Sequence, residues 1–331
     1  MKALVFGKSG LENLEIRDVD TPSVELDDVL IKVKMAGVNP IDFRVVNTMP
    51  VVKPMPHIPG AEFAGIVDEV GGRVSALKKG DRVTVYGRFF DGLCDMCLSN
   101  SEMLCRNGGI MGVITNGGFA EYVAVPEKNV FKLPDDLSWE MAASLPVAAL
   151  TPYHALKTSE LTINEDLVVF GASGNTGMFA VQLGKKIGAN VIAVSKKSWL
   201  KNFGADYVVS LEDAIEKINE ITSGRMADVV LNSLGSETWS ISLEALGLNG
   251  RLVFFGTLTG GSVNLVLDKL YGKQAKIIGT TGGTRKELKE LIAIVKGLKL
   301  RVWKKFKLDD GLNALKSLFS KERDGRIFIE P

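Results

Sequence analysis

The stretch Val168-Val169-Phe170-Gly171-Ala172-Ser173-Gly174-Asn175-Thr176-Gly177 decides how this chain is read. An apolar strand runs into a glycine-rich turn, and residues 178–187 continue with the apolar spacing of a helix. Such a turn lets backbone N–H groups at a helix N-terminus face an anionic pyrophosphate, with no Cβ to block its approach. Glycine turns of this kind recur by chance, so the setting matters. Here a second apolar strand, Val191-Ile192-Ala193-Val194, follows at the spacing of a βαβ unit, and a bound dinucleotide is expected. The plainer alternative is a structural turn that binds nothing.

A chain of 331 residues has room for two compact domains, and 46% hydrophobic with 24% charged residues is the balance of a soluble globular protein. A net charge of +1 gives no reason to expect nucleic acid or a membrane as partner. No apolar run approaches the ~18 residues of a membrane span or follows a basic start like a signal peptide, so a cytoplasmic protein is expected. The three cysteines all fall between Cys94 and Cys105. They are odd in number and too close together for a disulfide framework, which favours metal ligation.

Short β-segments separated by Gly, Pro and Asp fill the first third, at residues 2–6, 29–35, 65–70, 82–85 and 121–125. They predict an antiparallel, barrel-like domain. From about Trp139 the texture changes to alternating helix and strand, with strands expected at 168–170, 191–194, 207–209, 229–231, 252–255 and 277–279. Six strands with helical crossovers predict a doubly wound parallel sheet. Two amphipathic helices, 286–296 and 308–319, and a last strand, 326–329, close the chain.

Five motifs carry a resemblance: Ala36-Gly37-Val38-Asn39-Pro40-Ile41-Asp42, Pro59-Gly60-Ala61-Glu62-Phe63-Ala64-Gly65, Gly80-Asp81-Arg82-Val83, Gly118-Phe119-Ala120-Glu121-Tyr122, and the turn from Gly171 to Gly177. In order and spacing the chain resembles the medium-chain dehydrogenase/reductase superfamily over almost its full length. The resemblance implies a GroES-like catalytic domain from residues 1–125 and 286–331 around a Rossmann domain of residues 126–285. Substrate and nicotinamide would meet in the cleft between them. A homo-oligomer, dimer or tetramer, is expected.

In the zinc alcohol dehydrogenases of this superfamily, the positions that hold the catalytic metal correspond to Asn39, Ala61 and Val147, and the proton-relaying hydroxyl corresponds to Ile41. Catalytic zinc needs three N, S or O side chains plus an open position, and Glu62 alone cannot hold it. Asn39-Pro40-Ile41-Asp42 resembles instead the quinone oxidoreductase branch, which moves hydride from NADPH without a metal. The spacing Asp91-x2-Cys94-x2-Cys97-x7-Cys105 is that of a four-ligand structural zinc lobe, with a carboxylate as an acceptable first ligand. One structural zinc is therefore expected, against the alternative of an empty relic lobe.

Within the turn, Ala172, Ser173, Gly174, Asn175, Thr176 and Gly177 occupy the G-x-G-x-x-G slot, and Asn175 tolerates a left-handed backbone better than most residues. At the end of the second strand a carboxylate would bond a ribose 2′-OH and repel a 2′-phosphate. This chain has Ser195, Lys196 and Lys197 there, a hydroxyl and two ammonium groups that favour NADPH, unless the lysines are only a solvated pair. By resemblance, Asn232 and Ser233 border the adenosine half. Phe255, Gly256 and Thr257 face the nicotinamide, Thr151 lies beside it, and Arg326 meets the pyrophosphate. Residues 196–203 are short for a full crossover helix.

The expected catalytic residues are Asn39, Asp42 and Thr151: Asn39 offers an amide to a carbonyl oxygen, and Asp42 orients its neighbours. His57 is a candidate acid near the same cleft, although a lone histidine beside two prolines is more often a surface or packing residue, and His154 is read as a packing residue. The main functional expectation is an NADPH-dependent quinone or enone reductase without catalytic zinc, acting on a small-molecule carbonyl or quinone. A zinc-type alcohol dehydrogenase is the alternative, and a catalytically idle NADPH-binding sensor or RNA-binding protein a third reading.

Overall fold

The computed structural model describes residues 1–48 and 52–331. Residues 49–51, part of the 45–56 loop expected to shape the substrate pocket, lie outside the described residues. The chain forms two compact units. The first comprises Met1–Val147, Thr284–Lys296 and Leu300–Pro331, and the second Ala148–Gly283 and Gly297–Lys299.

The first unit starts with β1 (Lys2–Phe6), β2 (Leu14–Asp18) and β3 (Asp28–Gly37), followed by helix α1 (Pro40–Asn47). Strands β4 (Phe63–Val70), β5 (Arg82–Val85) and β6 (Arg88–Phe89) lead to the short helix α2 (Asp95–Leu98). Then come β7 (Gly109–Ile110), β8 (Tyr122–Pro126), β9 (Val130–Lys132) and α3 (Trp139–Ser144). The pleat of this sheet turns alternate residues inward: in β3, Val29, Ile31 and Val33 face a core that also holds Phe63, Val83 and Phe119. Pro40 opens α1, where its missing N–H costs nothing.

Residues 126–147 were expected with the second domain, but they belong to the first unit. Val130–Lys132 pairs antiparallel with β5, and α3 packs on β3 and β4. The change from strand to helix texture therefore precedes the change of unit, because α3 buries Met141, Ala142 and Ala143 against the antiparallel sheet.

The second unit contains α4 (Leu150–Thr158), β10 (Asp166–Phe170), α5 (Gly177–Ile187), β11 (Asn190–Val194), β12 (Tyr207–Val209) and α6 (Ala214–Ile221). They are followed by β13 (Ala227–Asn232), α7 (Trp239–Glu244), β14 (Leu246–Phe254), α8 (Leu267–Tyr271) and β15 (Lys276–Gly279). All six strands are parallel in the order β12-β11-β10-β13-β14-β15, so the order reverses at β10. Strand β10 is buried along its length, as a strand covered on both faces must be. Between β11 and β12 the crossover is a 3-10 segment, Ser198–Phe203, the clipped form that its length implied.

The chain then returns to the first unit with α9 (Arg285–Ile294), β16 (Val302–Lys307), α10 (Gly311–Ser317) and β17 (Arg326–Glu330). Strand β17 pairs antiparallel with β3 and parallel with β16, which completes the larger sheet as β16-β17-β3-β4-β5-β9 with β8 also on β3. Strand β16 was not expected, since Val302-Trp303-Lys304-Lys305-Phe306-Lys307 has too many lysines to read as a strand by hydropathy. As an edge strand it keeps them in solvent. Among the described residues, no helix is long and apolar enough to cross a membrane.

Candidate functional site

Register along the parallel sheet brings the nucleotide-binding candidates of the second unit to one edge. Phe170 aligns with Val194 and with Asn232, and Asn232 with Phe254. The next residues of these strands are Gly171, Ser195, Ser233 and Phe255, so all four stand at the carboxyl ends of adjacent strands, at the point where strand order reverses. Ligands of open α/β sheets bind there.

The turn itself is built for close approach. Gly171 has φ +72°, and a Cβ on Gly177 would lie 2.1 Å from the Gly171 carbonyl oxygen. The helix can thus start directly on the turn, with Thr176 as its N-cap. Ala172 and Asn175 are buried, and Gly174 N donates to Gly171 O at 2.9 Å. The turn's geometry fits a pyrophosphate held by the first turn of α5, an 11-residue helix.

Around it, Asn232 shapes its own loop: Oδ1 accepts from the N–H groups of Leu234 and Gly235, both at 2.9 Å, and Nδ2 donates to Ser242 Oγ at 3.1 Å. Ser233 Oγ donates to Phe170 O at 3.4 Å, tying this loop to the start of the glycine turn. A Cβ on Gly256 would meet Ser233 O at 2.1 Å, so Phe255, Gly256 and Thr257 pass close against the same loop. Thr151 lies in α4 and is 9% exposed.

At the end of β11, Ser195 Oγ accepts from Lys197 N at 3.2 Å. Lys196 Nζ donates to Glu212 Oε1 at 2.6 Å, an exposed pair in which the ammonium holds Glu212 down at about 2. Sequence reasoning missed Glu212. It stands 16 residues on, beyond β12, where parallel pairing brings it beside Lys196.

In the first unit, Asn39, Asp42, Glu62 and Arg326 form one buried polar cluster. Asp42 accepts from Asn39 N at 2.8 Å and from Ala61 N at 2.9 Å, binding the two motifs that carry them. Burial raises Asp42 to about 7, against the lowering effect of those two N–H groups. Asn39 Nδ2 donates to Glu62 Oε2 at 2.6 Å and to Gly37 O at 3.5 Å. The sequence expectation pointed this amide at a substrate oxygen, whereas its hydrogens are turned to a nearer and stronger acceptor, a buried carboxylate. Val147 supplies its backbone N–H to Glu62 Oε1 at 3.1 Å.

Arg326, expected at the pyrophosphate, is fully buried in β17 and pairs with Glu62 Oε2 at 2.5 Å. Its Nε is buried without a partner. The lone acid of the Ala61-Glu62 motif was the available signal for this pair, but 264 residues separate the two in sequence. His57 is fully buried, with Nε2 2.8 Å from Gly112 O and Nδ1 3.2 Å from Pro54 O, and its ring meets Phe6 edge-on.

The cysteine lobe is compact. One ligand atom from each of Asp91, Cys94, Cys97 and Cys105 lies within 4.8 Å of the others, and among the described residues no other group of three or more His, Cys, Asp or Glu side chains does this. Cys94 Sγ is 3.6 Å from Cys97 Sγ and 3.8 Å from Cys105 Sγ. Tetrahedral zinc with bonds of ~2.3 Å sets thiolates about 3.8 Å apart, so the donor set fits that ion. Asp91 is oriented by Leu93 N, Cys94 N and Asn107 Nδ2, and the N–H groups of Arg106 and Cys97 lower the Cys94 thiol.

Known proteins match this architecture. Residues 25–135 match the alcohol dehydrogenase GroES-like domain, and residues 176–297 the zinc-binding dehydrogenase domain. An NAD-dependent alcohol dehydrogenase from Sulfolobus acidocaldarius is 36% identical over 345 aligned positions, covering 100% of this chain and 99% of that protein. A cobalt- and zinc-bound thermostable alcohol dehydrogenase from Pyrobaculum aerophilum superposes with a TM-score of 0.93 at 40% identity, over 100% of this chain and 99% of that one. A quinone oxidoreductase from Pseudomonas syringae superposes with a TM-score of 0.81 at 27% identity, over 100% and 99%. With its GroES-like sheet, doubly wound parallel sheet and cysteine lobe, the chain belongs to the medium-chain dehydrogenase/reductase superfamily and is an oxidoreductase of the alcohol dehydrogenase type.

Proposed function

We propose that this chain interconverts a small carbonyl compound and its alcohol by hydride transfer with a nicotinamide cofactor, NADPH in preference to NADH, without a catalytic zinc. The names of the relatives support alcohol and carbonyl chemistry over the quinone reading favoured by sequence. The observation that carries the metal-free part is the Asn39–Glu62–Arg326 constellation. Asn39, Ala61 and Val147 offer no ligand set, and of the two carboxyl groups nearby Glu62 is held by a guanidinium, an amide and a backbone N–H, and Asp42 by the N–H groups of Asn39 and Ala61.

The glycine turn and α5 would hold the pyrophosphate, and Ser195, Lys196 and Lys197 the 2′-phosphate. Thr151, Phe255, Gly256 and Thr257 would border the nicotinamide, which supplies the hydride when bound. Asp42 is a positioning residue: it holds Asn39 and Ala61 by their backbones and exposes no proton to solvent. The proton that completes the alcohol then comes from solvent. Nothing in this side-chain set polarises a carbonyl or lowers an alcohol's pKa, so the direction of turnover near neutral pH follows the equilibrium, in which NADPH reduces the carbonyl.

A quinone or enone as acceptor is the second reading. The same missing ligand set favours it, because such a carbon is electrophilic without a Lewis acid. We also read the chain as a homo-oligomer, since Leu258, Val263, Leu265, Val266, Leu267 and Tyr271 leave a run of apolar surface exposed. The deciding experiment follows NADPH oxidation with ketones, aldehydes, quinones and enones before and after dialysis against a chelator. Turnover that survives dialysis and is faster than NADP-linked alcohol oxidation is expected. Chelator-sensitive alcohol oxidation as the faster reaction would return the assignment to a zinc enzyme.

A further inference from the structure

We infer that the cavity beside the cysteine lobe in the first unit is a binding site for a phosphate group, separate from the cofactor residues. The cavity has a volume of about 490 Å³, and its lining includes Phe90, Phe131, Glu102, Arg285, Lys286 and Lys289. The Arg285 guanidinium lies 5.5 Å from the Phe90 ring centroid and 5.7 Å from that of Phe131. Two aromatic faces thus fix a planar cation in place.

That cation is unspent. Arg285 Nε is buried with no hydrogen-bond partner, and the side chain makes no ion pair among the described residues. Lys286 and Lys289, both exposed on α9, make none either. The helix terminus does not account for the site, because three of its first four N–H groups are used: Thr284 N donates to Glu287 Oε2, Glu287 N to Thr284 Oγ1, and Arg285 N to Glu102 Oε1. Glu102 is the one carboxylate in the lining. Set against three cations, Glu102 and the metal-bound Cys97 thiolate that also lines the cavity still leave the lining net positive, which suits a phosphate monoester or phosphate. A guanidinium fork flanked by ammonium groups is the donor set that such an oxyanion takes. The room left along Phe90 and Phe131 favours a monoester with an apolar group.

The test is calorimetric titration of zinc-replete, NADPH-saturated full-length protein with inorganic phosphate and, separately, phenyl phosphate. Saturation with NADPH removes the glycine turn and strand-end residues as competing sites. One phosphate group per chain should bind, and Lys286→Glu with Lys289→Glu should weaken it at least tenfold while leaving NADPH affinity unchanged. Arg285→Lys, which keeps the charge and loses the fork, should also weaken it. Tighter binding of phenyl phosphate identifies a monoester site, and equal affinities a site for phosphate itself. If neither ligand binds, or if both bind the variants as well as the parent, the three cations only balance the anionic thiolate cage and the inference fails.

Discussion

Glu62 and Arg326 meet at 2.5 Å with neither side chain exposed, joining β17 near the end of the chain to the motif that precedes β4. A buried ion pair is costly to break from one side, because the survivor is left charged and unpaired. Glu62→Ala should therefore cost about 3–5 kcal/mol in chemical denaturation. The double variant Glu62→Leu/Arg326→Met should recover much of that loss. A single variant as stable as the parent would mean that Arg326 finds another anion or water.

Asp42 makes a pH prediction. Burial lifts it from 3.8 to about 7, so folding favours its protonated form. Its contribution is then fully present below about pH 4 and is lost as pH rises through about 7. Asp42→Asn should be less stable at low pH by about 1–3 kcal/mol, since an amide cannot accept from both Asn39 N and Ala61 N. The gap between parent and variant should narrow from pH 4 to pH 7. A gap that widens over that interval would show the opposite sign.

The lobe should carry one zinc per chain. Elemental analysis of the parent after growth in zinc-replete medium is expected to give one equivalent, and Cys97→Ser to give a fraction of that. The variant should also melt several degrees lower, because a loop with few buried apolar side chains depends on its metal. Two equivalents in the parent, or none, would refute the ligand assignment.

Cofactor choice rests on Ser195 and its neighbours. Ser195→Asp should weaken NADPH binding by about tenfold or more through like-charge repulsion and leave NADH binding little changed. Glu212→Gln releases Lys196 from its 2.6 Å pair and should tighten NADPH binding a few-fold. Equal dissociation constants of the parent for both cofactors would remove the basis for either effect.

Local patterning carried the fold. The glycine turn, the apolar β10 and β11, the five-motif order and the cysteine spacing are short-range signals, and each is set by backbone or ligand geometry over a few residues. Strand β16 and the unit change at Val147 escaped because lysines on an edge strand and a helix laid on a sheet look like other things in one dimension. By its resemblance to a family, the sequence pointed to metal ligands absent from positions 39, 61 and 147. Only the tertiary structure decided what stands there instead. Whether Asn39 points its amide at substrate or at Glu62, and whether Arg326 is free or paired, depends on an acceptor brought from 23 residues away and a cation brought from 264. Buried polar groups take the nearest strong partner, and that partner is chosen by the folding of β3, β4 and β17 into one sheet.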